Sequence, residues 1–265
     1  AALQRPGLIP TNNSLTPGPT RSGTVASTND SSSARENPTT TIVRPCDTRW
    51  MGNEHWPLFD LEVRTPRLTL RSLDDDLARD LVGVAARGVH DPATMPFTIP
   101  WTDLPSPRME QEAMRFYWRT RSSVRPDAWN LQFAVLVDGR VVGMCDLMAE
   151  NFGALRQFTT GSWLGRAFQG QGLGKEFRTA ALTLGFDGLD AEFALTGAWH
   201  DNAASRGVTE SLGYQEVGRR RALRRGEPDE QVEYRMAKEH WATIRRDDIT
   251  LHGLASAREF LGIQD

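Results

Sequence analysis

Trp163-Leu164-Gly165-Arg166-Ala167-Phe168-Gln169-Gly170-Gln171-Gly172-Leu173-Gly174-Lys175 is the stretch of the chain best suited to chemistry. An apolar run ends, glycines free the backbone for a tight turn, and an amphipathic segment begins at once. Backbone N–H groups converging at a helix start, with the positive end of the helix dipole, make a site for phosphate. Lys175 in the first turn adds a positive charge. Two familiar phosphate motifs do not fit. The ATP loop needs Gly at 169 and Ser or Thr at 176, where the chain has Gln169 and Glu176. The dinucleotide fingerprint needs G-x-G-x-x-G after the first strand of a parallel sheet, whereas here Gly170, Gly172 and Gly174 alternate after an antiparallel pattern. Glycines that do no more than close a turn remain a second reading of the cluster.

The elements that must position this loop are legible around it. Leu61 to Arg71 alternates apolar with polar and predicts a half-buried strand bent at Pro66. Ser72 and Asp75 have capping-box spacing ahead of Leu77, Leu81 and Val84 at helical period. Residues 88–107 are punctuated by proline yet carry Met95, Phe97, Ile99 and Trp101, so this loop must pack on the core or on a ligand. Residues 108–121 predict a helix. Residues 132–137 and 140–145 flank Asp138-Gly139, which predicts a hairpin with a type I′ turn. A strand over 159–164 leads into the glycines, followed by a helix with Leu173, Phe177, Ala180, Ala181 and Leu184 on one face. A strand at 193–196, a helix at 202–212 and a hairpin pairing 214–217 with 232–236 complete the pattern, a mixed α/β (α+β) domain.

The 265 residues carry 31 basic and 34 acidic side chains, a net charge of −3, and 39% hydrophobic residues. In residues 1–45, Ser, Thr, Pro, Gly and Asn supply 27 positions and no aromatic residue occurs. Such a segment buries too little surface to offset its chain entropy, so 1–48 is expected to be a disordered tail and 49–265 one folded domain. Leu8-Ile9-Pro10 is too short for a secretory signal. Residues 1–45 hold +2, which leaves −5 for the remaining 220 and argues against nucleic acid as a partner. No apolar run approaches the roughly 20 residues of a membrane span. Two cysteines, Cys46 and Cys145, make no disulfide scaffold, and a reduced, cytoplasmic setting is expected.

Gln169-x-x-Gly172-x-Gly174 matches the [QR]-x-x-G-x-[GA] motif of the GNAT acyltransferases, in the strand–loop–helix context expected of it. Asp201-Asn202-Ala203-Ala204-Ser205 and Leu212-Gly213-Tyr214 resemble that superfamily's N-x-x-S and L-G-[FY] segments. Thr65-Pro66-Arg67-Leu68-Thr69-Leu70-Arg71 is similar to the first strand of the branch that acetylates ribosomal-protein N-termini. His55-Trp56-Pro57-Leu58-Phe59-Asp60, Gly88 to Pro92, Met95-Pro96-Phe97, Pro100-Trp101 and Ser162 to Gly165 resemble an actinobacterial subgroup that includes a mycobacterial succinyltransferase.

The resemblance implies a mostly antiparallel sheet, splayed between two strands, with flanking helices. It implies an acyl-CoA co-substrate, acetyl-CoA or succinyl-CoA, with no metal. The pyrophosphate would lie on Gln169, Gly170, Gln171, Gly172, Leu173, Gly174 and Lys175, the thioester carbonyl on a backbone N–H near Leu164, and the pantetheine arm on Asn202. A protein N-terminus, a lysine or a small-molecule amine would attack directly, and Ser205 would give the departing thiolate a proton, unless it merely caps a helix. Many relatives carry a Tyr seven residues after the motif Asn; this chain has Thr209. Where relatives often carry Glu on a strand it has Thr159-Thr160, which leaves Glu150, Asp146, His90 and His200 as candidate bases. Arg219, Arg220, Arg221, Arg224 and Arg225 form either a solvated charge run or an attraction for an anionic acceptor or a succinyl carboxylate. The departures motivate an alternative, a non-catalytic acyl-CoA-binding regulatory protein. Self-association into a homo-oligomer is left open.

Overall fold

The computed structural model describes residues 53–264; the Ser/Thr/Pro-rich stretch expected over 1–48 lies outside them. The first strand of the sequence reading is in fact two, β1 (Glu62–Arg64) and β2 (Thr69–Ser72), paired antiparallel. The Thr65 hydroxyl folds the chain back by accepting the N–H groups of Arg67 at 3.3 Å and Leu68 at 3.1 Å. A Thr side chain bonded to backbone just downstream makes a turn where the alternation alone suggested a bend. The capping-box expectation also shifts. Ser72 ends β2, and the N-cap of α1 (Asp75–Ala86) is Asp74, whose Oδ1 accepts the N–H of Leu77 at 2.8 Å.

Helix α2 (Arg108–Ser122) follows, then β3 (Ala128–Val137) and β4 (Arg140–Glu150). Their turn has φ of 48° at Asp138 and 73° at Gly139, as a type I′ turn demands. A one-turn helix α3 (Phe152–Leu155) leads to β5 (Gln157–Leu164), the glycine loop and α4 (Leu173–Thr183). Next come β6 (Phe193–Trp199), α5 (Ala203–Ser211) and the long hairpin of β7 (Gln215–Arg224) and β8 (Glu227–Ala237). Three short elements that the sequence reading did not anticipate close the chain: α6 (Lys238–Ile244), β9 (Thr250–His252) and α7 (Leu254–Phe260).

The nine strands of the described residues make one sheet in the order β7-β8-β6-β5-β4-β3-β2-β1-β9. Alternate residues face opposite sides. On one side Phe177, Ala181 and Leu182 of α4 share a core with Phe158 of β5, and on the other Leu77 and Leu81 of α1 and Ala113 and Tyr117 of α2 share one with Met144 of β4. Among the described strands β5 and β6 form the one parallel pair, and it lasts three residues, from Gln157↔Phe193 to Thr159↔Leu195. Beyond that, β5 stays with β4 up to Leu164 while β6 stays with β8 up to Trp199. The sheet is therefore split in a V whose arms are β5 and β6.

The loop over 88–107 caps one side of the V. Met95 and Val89 are buried, and the tip of the β7–β8 hairpin holds the loop in place. Arg224 donates to the carbonyl of Met95 at 2.8 Å and to the carboxylates of Asp201 at 2.9 Å and Asp229 at 3.0 Å. Its guanidinium lies 5.2 Å from the Trp199 ring centroid. Arg225 pairs with Asp103 at 2.7 Å, and Gln231 donates to the Thr98 hydroxyl at 3.0 Å. Arg224→Met removes several charge-assisted bonds at a site where the side chain is mostly covered, so it is expected to cost about 1–2 kcal/mol. Urea denaturation measures the loss. Hydrogen exchange should rise within residues 88–107 and stay unchanged in β3 and β4.

Candidate active site

Strand direction decides which backbone groups face the V. Gly165 donates its N–H to the carbonyl of Val142 on β4 at 2.9 Å. Because backbone groups alternate along a strand, the N–H and C=O of Leu164 and Ser162 point away from β4 into the gap. Thr160 fits the same alternation, its carbonyl accepting the Thr196 hydroxyl at 3.3 Å across the apex. An N–H pointed into a gap with no strand opposite is ready for an external acceptor.

At the open end of β5 the glycine loop makes the tight turn that its composition predicts. Gly170 and Gly172 have φ of 73° and 76°, left-handed values that L side chains rarely adopt, and they turn successive N–H groups toward one side. Gly172 is the N-cap of α4 and no side chain caps the helix, so the first-turn amides of Leu173, Gly174 and Lys175 are unspent within it. The side chains serve other ends. Gln169 Nε2 donates to the carbonyls of Leu164 at 2.9 Å and Val89 at 2.7 Å, so this residue braces the loop against β5 and the 88–107 segment. Gln171 donates to Ala167 at 3.0 Å, and the buried Leu173 anchors α4 in the core. Lys175 turns to the carbonyl of Ser211 at 3.2 Å, at the C-terminal end of α5. Arg67, which the sequence reading assigned to a strand, lies against the loop instead. It donates to the carbonyl of Gln171 at 2.9 Å, and its Nη1 is 3.4 Å from Glu176. Only the turn at Thr65 brings it there, and nothing local in the sequence signals that placement.

The second motif begins α5. Asn202 is the N-cap, its Oδ1 accepting the Ser205 N–H at 3.1 Å. The cap thus uses the backbone of Ser205 and leaves its hydroxyl out. Thr209, in the place of the familiar Tyr, is buried and turns its hydroxyl back to the Ser205 carbonyl at 2.9 Å.

Below the V, on the α4 side, lies Arg178. It is 4% exposed, and its bonds go to the hydroxyls of Thr196 at 3.2 Å and Ser162 at 3.3 Å, one from each arm. Its Nε has no partner among the described residues, and neither has the hydroxyl of Thr160 or of Tyr214. Arg178 makes no ion pair among the described residues, and the buried carboxyl that feels its charge is Asp146, so its burial is only partly compensated.

On the other side of the sheet a cavity of about 550 Å³ opens beneath the 88–107 loop. Phe97, Trp101, Phe116, Tyr117 and Trp163 wall it, and Asp146, Gly161 and Ser162 lie along its floor. Of the four candidate bases, Asp146 alone lines this cavity. Its carboxyl is pushed up from the usual carboxylate range by burial, against which an Asn130 hydrogen bond at 3.2 Å works. His90 is bound to Thr102 at 2.7 Å, His200 to Asp229 at 3.1 Å, and Glu150 is exposed at the far end of β4. Burial pushes the Cys145 thiol up to about 12, which leaves it an unreactive core residue. The arginine cluster is mostly spent: Arg219 pairs with Glu216 and Glu230, Arg220 with Glu233, and Arg224 and Arg225 hold the loop. Arg221 remains exposed. The charge run is therefore largely neutralised, because acidic partners meet it from β8, the 88–107 loop and the turn before α5, with Glu216 on β7 itself.

A sequence-family description of the acetyltransferase (GNAT) domain matches residues 67–215, more than half of the chain. The chain belongs to the GNAT acetyltransferase family. Solved structures with the same fold include Mycobacterium smegmatis RimJ in complex with CoA-disulfide, at 18% identity and a TM-score of 0.58 over 71% of this chain and 96% of that one. A GCN5-related N-acetyltransferase from Brucella melitensis matches at 20% identity and a TM-score of 0.57, over 69% and 81%. A chimera of Vibrio cholerae spermidine N-acetyltransferase and hSSAT matches at 16% and 0.53, over 66% and 98%. Among the described residues, no helix is long and apolar enough to cross a membrane.

Gly172→Val puts a β-branched side chain at φ 76°, with its Cβ about 3.5 Å from the Arg67 guanidinium. The variant is expected to lose the thermal shift that acetyl-CoA gives the parent while keeping its far-ultraviolet circular dichroism. Retention of the full shift would move the phosphate site elsewhere.

Proposed function

We propose that the GNAT domain is an acyl-CoA-dependent N-acyltransferase that passes an acetyl or succinyl group to a primary amine by direct attack in a ternary complex. The observation that carries this reading is the coincidence of three features at one place. They are the V between β5 and β6, the unspent amides from Gly172 to Lys175 at its mouth, and the aromatic cavity on the opposite side of the sheet. A long thin ligand with a phosphate end fits the first two, and an amine meeting it from the other side fits the third.

In this reading the Leu164 N–H holds the thioester oxygen and stabilises the charge that develops there as the amine adds. Asn202 lies beside the arm, and the Ser205 hydroxyl, which the helix cap leaves out, gives the departing CoA thiolate its proton. Ser205→Ala is expected to lower kcat by about 10- to 100-fold, with the acyl-CoA thermal shift unchanged. An equal loss of kcat and of the thermal shift would make Ser205 a structural residue.

The acyl group divides the observations. The names of the matched structures speak for acetyl, and Arg178 speaks for a carboxylated acyl group, since it is a buried cation on the V that makes no ion pair among the described residues. The spent arginine cluster supports neither. Free-thiol release measured with acetyl-CoA and succinyl-CoA over a panel of amines tests the reading. If Arg178 receives a succinyl carboxylate, Arg178→Met is expected to lower kcat/KM for succinyl-CoA by about tenfold or more relative to acetyl-CoA. A non-catalytic acyl-CoA-binding protein is the second reading, favoured by the buried, back-bonded hydroxyl of Thr209. Stabilisation by acyl-CoA with no thiol released from any amine would establish it.

A further inference from the structure

We propose that the acceptor is a small aromatic or bulky apolar primary amine, taken whole into the cavity under the 88–107 loop with its ammonium on Asp146. This rests on the transferase reading and names the acceptor that the reading leaves open.

The walls point to the class. Phe97 and Trp101 have ring centroids 5.2 Å apart, and Trp101 and Trp163 are 5.9 Å apart. With Phe116 and Tyr117 from α2 they form a box of ring faces and edges, the surface that holds a flat apolar body or a cation. Its 550 Å³ is the size of a pocket that buries a whole small molecule. The single unbranched chain of a lysine would leave most of that apolar wall bare. The 88–107 loop is fastened at Met95, Phe97, Thr98 and Asp103 to β6 and the β7–β8 hairpin, so the pocket is roofed rather than an open groove for extended peptide.

The floor points to the charge. Asp146 is 5% exposed and makes no ion pair among the described residues, although the charge of Arg178 acts on it from the other face, and it lies opposite Gly161 in the β4–β5 register. The absence of a side chain at 161 leaves the carboxylate reachable beside the V. Asn130 Oδ1, next to it, also lacks a donor among the described residues. An ammonium brings a donor to Asn130 Oδ1 and a full positive charge to a carboxylate that otherwise has, among the described residues, only the Asn130 amide and the Gly161 backbone as donors. The aromatic walls strengthen that attraction by excluding water.

The step balances within the site. The ammonium passes one proton to the Asp146 carboxylate and becomes a neutral amine. Its lone pair adds to the thioester carbonyl, the C–N bond forms and the C–S bond breaks. The second proton passes from nitrogen through the Ser205 hydroxyl to the departing thiolate, yielding amide and free CoA with the first proton left on Asp146. Removing a negative charge from a buried position keeps the shape of the floor in Asp146→Asn, so the variant is expected to fold with unchanged or higher thermal stability.

The test compares 2-phenylethylamine and tryptamine with propylamine, a lysine peptide and a free-N-terminus peptide, by thiol release in the full chain. Aromatic amines are expected to exceed the other three by about tenfold or more in kcat/KM. Calorimetric binding of 2-phenylethylamine should weaken by about tenfold in Asp146→Asn, whereas its uncharged analogue 2-phenylethanol should bind as before. Phe116→Ala, on the wall, should narrow the preference for aromatic over alkyl amines. Preference for either peptide, or ammonium binding indifferent to Asp146→Asn, overturns the proposal. Asp146-dependent amine binding with no thiol released from any acyl-CoA would uphold the pocket and overturn the transferase reading instead.

Discussion

The structure depends on the early end of one strand pair. Sheets normally satisfy every backbone N–H and C=O with a neighbouring strand, and unsatisfied groups in a covered position carry a real cost. Here β5 and β6 separate after Thr159↔Leu195 although both continue, one held by β4 and the other by β8. The edge of β5 at Ser162 and Leu164 therefore lacks a strand on one side. In the proposed reading a ligand with its own amide groups takes the missing place.

What keeps the arms apart is as physical as what would join them. Arg178 rises from α4 and bonds Ser162 on one arm and Thr196 on the other, so its charged end occupies the ground where further side-chain packing would close the gap. On the other side, Asp146 and the aromatic cavity prevent a continuous apolar layer. Gln169 ties the end of β5 to the loop after α1, and Arg224 ties the same loop to the far hairpin. The V is braced from above, below and both ends before any substrate arrives, which favours reaction by sparing reorganisation at the moment of bond formation.

Much of this was legible in sequence where the rule is local. The left-handed requirement at Gly170 and Gly172, the turn at Asp138-Gly139 and the cap at Asn202 each depend on a few adjacent residues, and all three stand in the structure. The misreadings fall where distant residues decide. Strand alternation over Leu61 to Arg71 is real, yet the Thr65 hydroxyl breaks it into a hairpin and carries Arg67 to the glycine loop. The arginine run looked available because its neutralising carboxylates, Asp103, Asp201, Asp229, Glu230 and Glu233, come from other elements. Arg178 sits within an amphipathic helix pattern that gives no sign of a buried cation. Asp146 was one of four equal candidates until the register placed it beside Gly161.

The central claim is that the unpaired edge of β5 and the amides of the glycine loop together receive an acyl-CoA. Residue-resolved amide hydrogen exchange, with and without acetyl-CoA, tests it most directly. The account predicts that exchange at Leu164, Gly172, Leu173, Gly174 and Lys175 slows by about tenfold or more on binding, with little change in β1, β2 and β9. Binding that protects other amides and leaves those five at their original rates would contradict it.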